Sequence, residues 1–259
     1  MPDTAPTRRA APAVARTVAV LRQLGRAAEP VGVNQLAREL DLVPSTCLHI
    51  LRALVEEGLV AFDPASKRYT IDIGILPIAR SAIHRNGFAS LIEPRLTELS
   101  LGFGGTAVAT QLTAGEHMVV VALSRAALPF RLQVDLGSHF PALISATGRC
   151  HAAFNLPDAG EAELRERFER LNWDDAPAFD EWMADIEETR RQGYAVDRGR
   201  YISGVTILAA PFFDRAGRMT HSIVAIGISE KIEAQGVADL GQKMLAIRDE
   251  VASMHVGGG

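Results

Sequence analysis

Four polar side chains recur along one face of a short helical pattern. With a helix start near Ser45 and 3.6 residues per turn, Ser45, His49, Arg52 and Glu56 share one side, and Thr46, Leu48 and Ala53 flank them. Cys47, Ile50, Leu51, Leu54 and Val55 collect on the other side. Short hydroxyls at the leading end, followed by an imidazole and a guanidinium, offer hydrogen bonds to phosphates and base edges without bulk or negative charge. The competing reading is a helical hairpin whose polar face is merely solvated.

The neighbouring elements bear on that choice. A preceding short helix contributes Leu36, Ala37 and Leu40 to the same core, and the small Ala37 permits a close crossing. Gly58 ends the second helix, Leu59–Phe62 reads as a strand, and Asp63-Pro64-Ala65-Ser66 reads as a turn. Lys67–Ile71 is the return strand, so Lys67 and Arg68 sit at the tip of a hairpin placed to touch a sugar-phosphate backbone. Upstream, Val14, Thr17, Val18, Leu21 and Leu24 form the stripe of another helix. Helix, helix, helix and hairpin make a winged helix-turn-helix, which implies a double-stranded DNA partner. Charge agrees modestly: residues 1–70 hold nine Lys+Arg and seven Asp+Glu, or +2, and the remainder holds 18 against 24, or −6.

The rest of the chain is long enough for one larger domain. The first twelve residues read as a disordered tail without the apolar middle of a signal peptide, although Arg8 and Arg9 could brush DNA. No apolar run approaches a bilayer span, so no membrane partner is expected. Two cysteines, Cys47 and Cys150, fit a reducing cytoplasm. The expected boundaries are a tail over 1–12, a winged head over 13–72, a linker helix over 73–87 and a body over 88–259. The linker stripe runs Ile73, Ile75, Leu76, Ile78, Ala79, Ala82 and Ile83.

In the body a helix over Ala89–Leu101, with Pro94 near its first turn, gives way to period-2 runs at Thr106–Thr113, His117–Ser124 and Phe130–Asp135. Helical patterns cover Thr147–Phe154, Glu161–Leu171 and Phe179–Gln192. Strands return at Tyr194–Asp197, Thr206–Phe213 and Thr220–Ile228, and a helix over Asp239–Met254 closes the chain. The fold class is α+β, with a mostly antiparallel sheet flanked by helices and able to enclose a small molecule.

Taken in order, LARELDLVPST, LRALVEEGLV, YTIDIG, PALISATGRCHAAF, RRQGYAVD, GVTILAAPFFDRAG and IVAIGIS resemble the IclR family of bacterial transcriptional regulators over nearly the whole chain. The resemblance implies a winged-helix head, a linker helix and a GAF-like effector domain. It implies dimers through the heads, often tetramers through the effector domains, and operator binding controlled by a metabolite, commonly an organic or aromatic acid. It maps the DNA-facing run onto Pro44, Ser45, Thr46, Leu48 and His49. The common His-Arg pair of that run is here Leu48-His49, so the operator does not transfer; Leu48 could meet a thymine methyl or a partner helix. Together with Arg52, Lys67 and Arg68 these are the expected DNA-binding residues.

For the effector, the resemblance points to Phe140, Ala146, Thr147, Gly148, Asp197, Val205, Ile207, Val224 and Ile226. Ile207 stands where Cys is frequent, Val224 and Ile226 where some relatives have serines, and Gly199-Arg200 where an acidic pair often follows the Asp. Such a pocket is drier and favours a bulkier, partly apolar acid. Plain strand core is the alternative for the three apolar positions, and a turn cap for Asp197.

An enzyme is the rival class. His-Glu-x-x-His, Cys-x-x-Cys, Gly-x-Ser-x-Gly and a phosphate loop are absent from the sequence, and the seven histidines lack metal-ligand spacing. No catalytic residue, metal or cofactor is expected.

Overall fold

The computed structural model describes residues 11–79, 87–128, 132 and 134–256 and divides the chain into two compact units, Met1–Arg85 and Asn86–Gly259. Most of the expected tail and the later part of the expected linker helix lie outside the described residues.

In the first unit, α1 (Pro12–Arg26), α2 (Val33–Glu39) and α3 (Pro44–Glu56) pack on a three-stranded antiparallel sheet of β1 (Val31–Gly32), β2 (Val60–Asp63) and β3 (Arg68–Ile71), in the order β1-β3-β2. Pro44 opens α3, where its missing amide costs no helical bond. Gly58, at φ +68, closes it: the Gly58 amide reaches the Val55 carbonyl at 3.0 Å and the Leu59 amide reaches Leu54 at 2.9 Å, a Schellman stop. Val20, Leu24, Leu36, Ala37, Cys47, Leu51, Leu54, Val60 and Tyr69 form the core. The two-residue β1 escapes sequence periodicity because it is too short to show any. Ile73–Ile75 forms a 3₁₀ turn and residues 76–79 are helical.

The second unit is a six-stranded antiparallel sheet in the order β6-β5-β4-β9-β8-β7. Its strands are β4 (Thr106–Leu112), β5 (His117–Leu123), β6 (His139–Pro141), β7 (Ala195–Arg198), β8 (Val205–Phe213) and β9 (Met219–Ile228). One face packs on α4 (Gly87–Phe103) and α9 (Val237–Val256) through Ile92, Leu96, Ala107, Ala109, Leu208, Ile223 and Met244. The other face packs on α5 (Ser145–Asn155), with α6 (Glu161–Glu169) and α7 (Phe179–Gln192) behind it around Trp182 and Phe168.

Two expectations need correcting, and one further helix was not foreseen. The third strand of the body is His139–Pro141; of the expected run Phe130–Asp135, Leu132, Val134 and Asp135 belong to no strand, and its other members lie outside the described residues. Three residues ending in proline carry too little alternation to be read as a strand. Pro94 lies inside α4 rather than in its first turn. A separate helix, α8 (Ser229–Gln235), precedes α9 and ends at Gly236, whose φ of +93 breaks the run.

Candidate functional sites

The head presents the expected polar face. Pro44, Ser45, His49 and Arg52 are exposed, Thr46 is half-buried, and the side beneath them is buried at Cys47, Leu51 and Leu54. The first amides of α3 have no partner four residues back, so this end carries partial positive charge. Leu48 is half-buried against the head core rather than fully displayed.

The wing is shaped by Asp63, whose carboxylate accepts the Ala65 amide at 3.0 Å and the Ser66 amide at 3.3 Å. Hydrogen bonding to Ser66 and Ala65 holds that carboxyl below its ordinary range. Lys67 follows at φ +56 and is exposed at the tip. Arg68 is exposed too, but it donates to the Pro30 carbonyl at 2.8 Å, which ties the wing back to the segment before β1. Between α3 and the wing lies an open groove of about 590 Å³ lined by Leu48, Arg52, Phe62, Lys67 and Tyr69. Its floor is aromatic, with the Phe62 and Tyr69 rings 4.8 Å apart.

In the body, the structure gathers Ala146, Val205, Ile207 and Val224 into one buried apolar cluster, with Phe140 and Ile226 packed at its margin. Strand register explains this: Ile207 pairs with Ile226, and Ala209 with Val224, so alternate residues of β8 and β9 face α5. At the start of α5, Ser145 has φ +63, a left-handed conformation uncommon outside glycine. Gly148 is required one turn later, since a Cβ there would fall 2.0 Å from the Leu143 carbonyl. Thr147 is buried and donates to the Ile144 carbonyl at 3.3 Å.

Asp197 caps a turn, the alternative weighed for it, and also holds a buried partner that was not foreseen. It is fully buried, and its Oδ2 accepts Arg149 Nη1 at 2.8 Å. Its Oδ1 accepts the amides of Arg200 at 3.0 Å and Tyr201 at 3.1 Å. The carboxylate thus neutralises a buried cation and shapes the turn after β7. Sequence reasoning missed Arg149, which is 1% exposed and also donates from Nε to Asp185 at 2.8 Å. The available signal was an arginine among small and apolar residues on a buried helix, which must find an acid. Beside it, burial pushes the Cys150 thiol up to about 12, and Cys150 donates to the Ala209 carbonyl at 3.4 Å. An inert thiol of this kind is structural.

A cavity of about 350 Å³ opens at one end of this sheet face, lined among others by Ser100, Thr106, Leu123, Leu132, Val134 and Asp135. Thr106 pairs in register with Ile226, which links the cavity to the margin of the apolar cluster. Among the described residues no group of three or more His, Cys, Asp or Glu side chains could hold a metal ion, and no helix is long and apolar enough to cross a membrane.

Comparison with known proteins agrees on both units. The family model for the IclR helix-turn-helix domain matches residues 13–64, and the model for the C-terminal region of bacterial IclR transcriptional regulators matches residues 80–252. A relative named the HTH-type transcriptional repressor AllR, from Salmonella paratyphi A, is 25% identical over 230 residues, covering 86% of this chain and 82% of its own. Its counterpart in Escherichia coli K12 is 24% identical over 229 residues, covering 86% and 82%. Among solved structures, an IclR transcriptional regulator from Alicyclobacillus acidocaldarius shares the fold at a TM-score of 0.80 and 23% identity, covering 94% of this chain and 98% of that one. Pseudomonas aeruginosa HmgR does so at 0.68 and 24%, covering 94% and 99%. The likeness spans head and body alike, and the chain belongs to the IclR family of DNA-binding bacterial transcriptional regulators.

Proposed function

We propose that this regulator binds its operator through Ser45, Thr46, His49 and Arg52 of α3, with Lys67 and Arg68 on the flanking phosphates. An apolar carboxylic acid, aromatic or of similar bulk, binds in the body and changes that affinity. The observation carrying the effector class is the concentration of Phe140, Val205, Ile207, Val224 and Ile226 on one sheet face, beside which the buried charges of Asp197 and Arg149 are paired with each other. Such a surface rewards a hydrocarbon body and discriminates weakly among polar groups. Buried Asp197 serves this site indirectly, by holding Arg149 and the turn that follows it.

The same reading makes the protein a cytoplasmic homodimer or homotetramer with no catalytic step. Val14 and Val18 of α1 and Ile73, Leu76 and Ile78 after the wing are exposed apolar side chains of the head, and a second head would cover them. A thermal-shift screen with benzoate, phenylacetate and small aliphatic acids tests the effector class. Ligand at 100 times its dissociation constant stabilises by about 2.7 kcal/mol. Aromatic acids are expected to shift the transition and aliphatic ones to leave it unmoved. The reverse order overturns the effector class, and failure to shift mobility of the chain's own promoter DNA overturns the operator reading.

A further inference from the structure

The turn between β7 and β8 carries a side chain that the effector reading above has not used. Tyr201 is half-buried and packs its ring against the apolar cluster of Val205, Ile207 and Val224. Its phenol oxygen has no hydrogen-bond partner among the described residues, although its backbone amide is fixed by Asp197. A phenol on an apolar surface gains most by donating to an acceptor that arrives with a ligand.

The turn is built to hold that ring in place. Gly199 at φ +75 and Gly204 at φ +77 reverse the chain on either side of it. Arg200 Nη1 reaches Asp175 at 2.6 Å and Nη2 reaches Glu181 at 3.5 Å, while the Ser203 amide donates to Asp174 at 2.9 Å. These contacts secure the turn from the α6–α7 connection and α7, so a bound molecule meets a pre-positioned donor at little ordering cost. Arg200 faces outward to acids, Arg149 neutralises the buried Asp197, and Asp174, the other carboxylate near the phenol, is exposed to water and occupied by the Ser203 amide.

Resting on the effector reading, we propose that Tyr201 is a specificity-determining residue of the effector site, donating its phenol hydrogen to the ligand carboxylate while its ring covers the hydrocarbon body. Burial raises the phenol above its ordinary range, with Asp174 adding to the effect, so it stays a donor throughout neutral pH.

Calorimetric titration of benzoate and of uncharged benzyl alcohol into the full-length protein and into Tyr201→Phe tests this. The substitution keeps the ring and removes only the hydroxyl, so thermal unfolding should match the parent. Benzoate is expected to bind the variant about tenfold more weakly, the usual loss for a hydrogen bond to a charged acceptor, with benzyl alcohol changed less than about twofold. Benzoate binding equal in parent and variant overturns the role of Tyr201 and leaves the effector reading standing. Absence of benzoate binding to the parent overturns the aromatic-acid reading and this inference together.

Discussion

Cations are used in opposite ways by the two halves of the molecule. Arg52 and Lys67 in the head are exposed and make no ion pair among the described residues. In the body, Arg149 is 1% exposed and clamped between Asp185 and Asp197, and the half-buried Arg200 and the exposed Arg198 and Arg218 each face an acid. A free surface cation can be lost without disturbing the fold and is available to phosphate, whereas a buried one is fold. Net charge per unit hides this, because both units mix signs; what separates these particular cations is whether an acid already neutralises them.

The comparison breaks most readily at Asp197. Asp197→Ala leaves Arg149 buried beside only the half-exposed Asp185, and about 3–5 kcal/mol of unfolding free energy should be lost in denaturant titration. A loss under about 1 kcal/mol would make the body's cation dispensable and erase the contrast.

His151 sharpens the same point through pH. It is 4% exposed, and burial pushes its pKa down to about 4, so the folded state holds it neutral. The unfolded chain protonates near 6.5, binds more protons between these values, and is therefore favoured as pH falls. Stability is fully present above about 6.5 and should drop by up to about 3 kcal/mol on the way to about 4. His151→Leu should flatten the unfolding midpoint across that window; an unaltered slope would place the titration elsewhere.

In the head the effects should be smaller and confined to binding. Arg52→Ala is expected to weaken operator affinity by about 1–3 kcal/mol with thermal unfolding unchanged. A stability loss equal to the binding loss would mean that Arg52 belongs to the fold after all.

The sequence made the head almost fully legible because its information is local. The apolar spacing of α3, the stop at Gly58 and the turn chemistry of Asp63 each lie within a few residues of the structure they specify. The body was legible where strands are long: β8 and β9 alternate over whole runs, and their register brings Ile207 and Val224 to one face. It was opaque where partners are distant. Arg149 and Asp197 are 48 residues apart, and nothing near either announces the other. The phenol of Tyr201 was passed over for the same reason, since its place depends on acids contributed by the segment before α7 and by α7 itself.

The salt dependence of binding to promoter DNA, compared between head and body variants, addresses the contrast most directly. Each phosphate contact adds about one charge to the slope of log affinity against log salt. The Arg52→Ala, Lys67→Ala double variant should lower that slope by about two, whereas Arg218→Ala, at a body arginine that is also exposed but already paired with Asp214, should leave it unchanged. Equal reductions from head and body variants, or none from the head pair, would contradict the assignment of the free cations of the head to DNA.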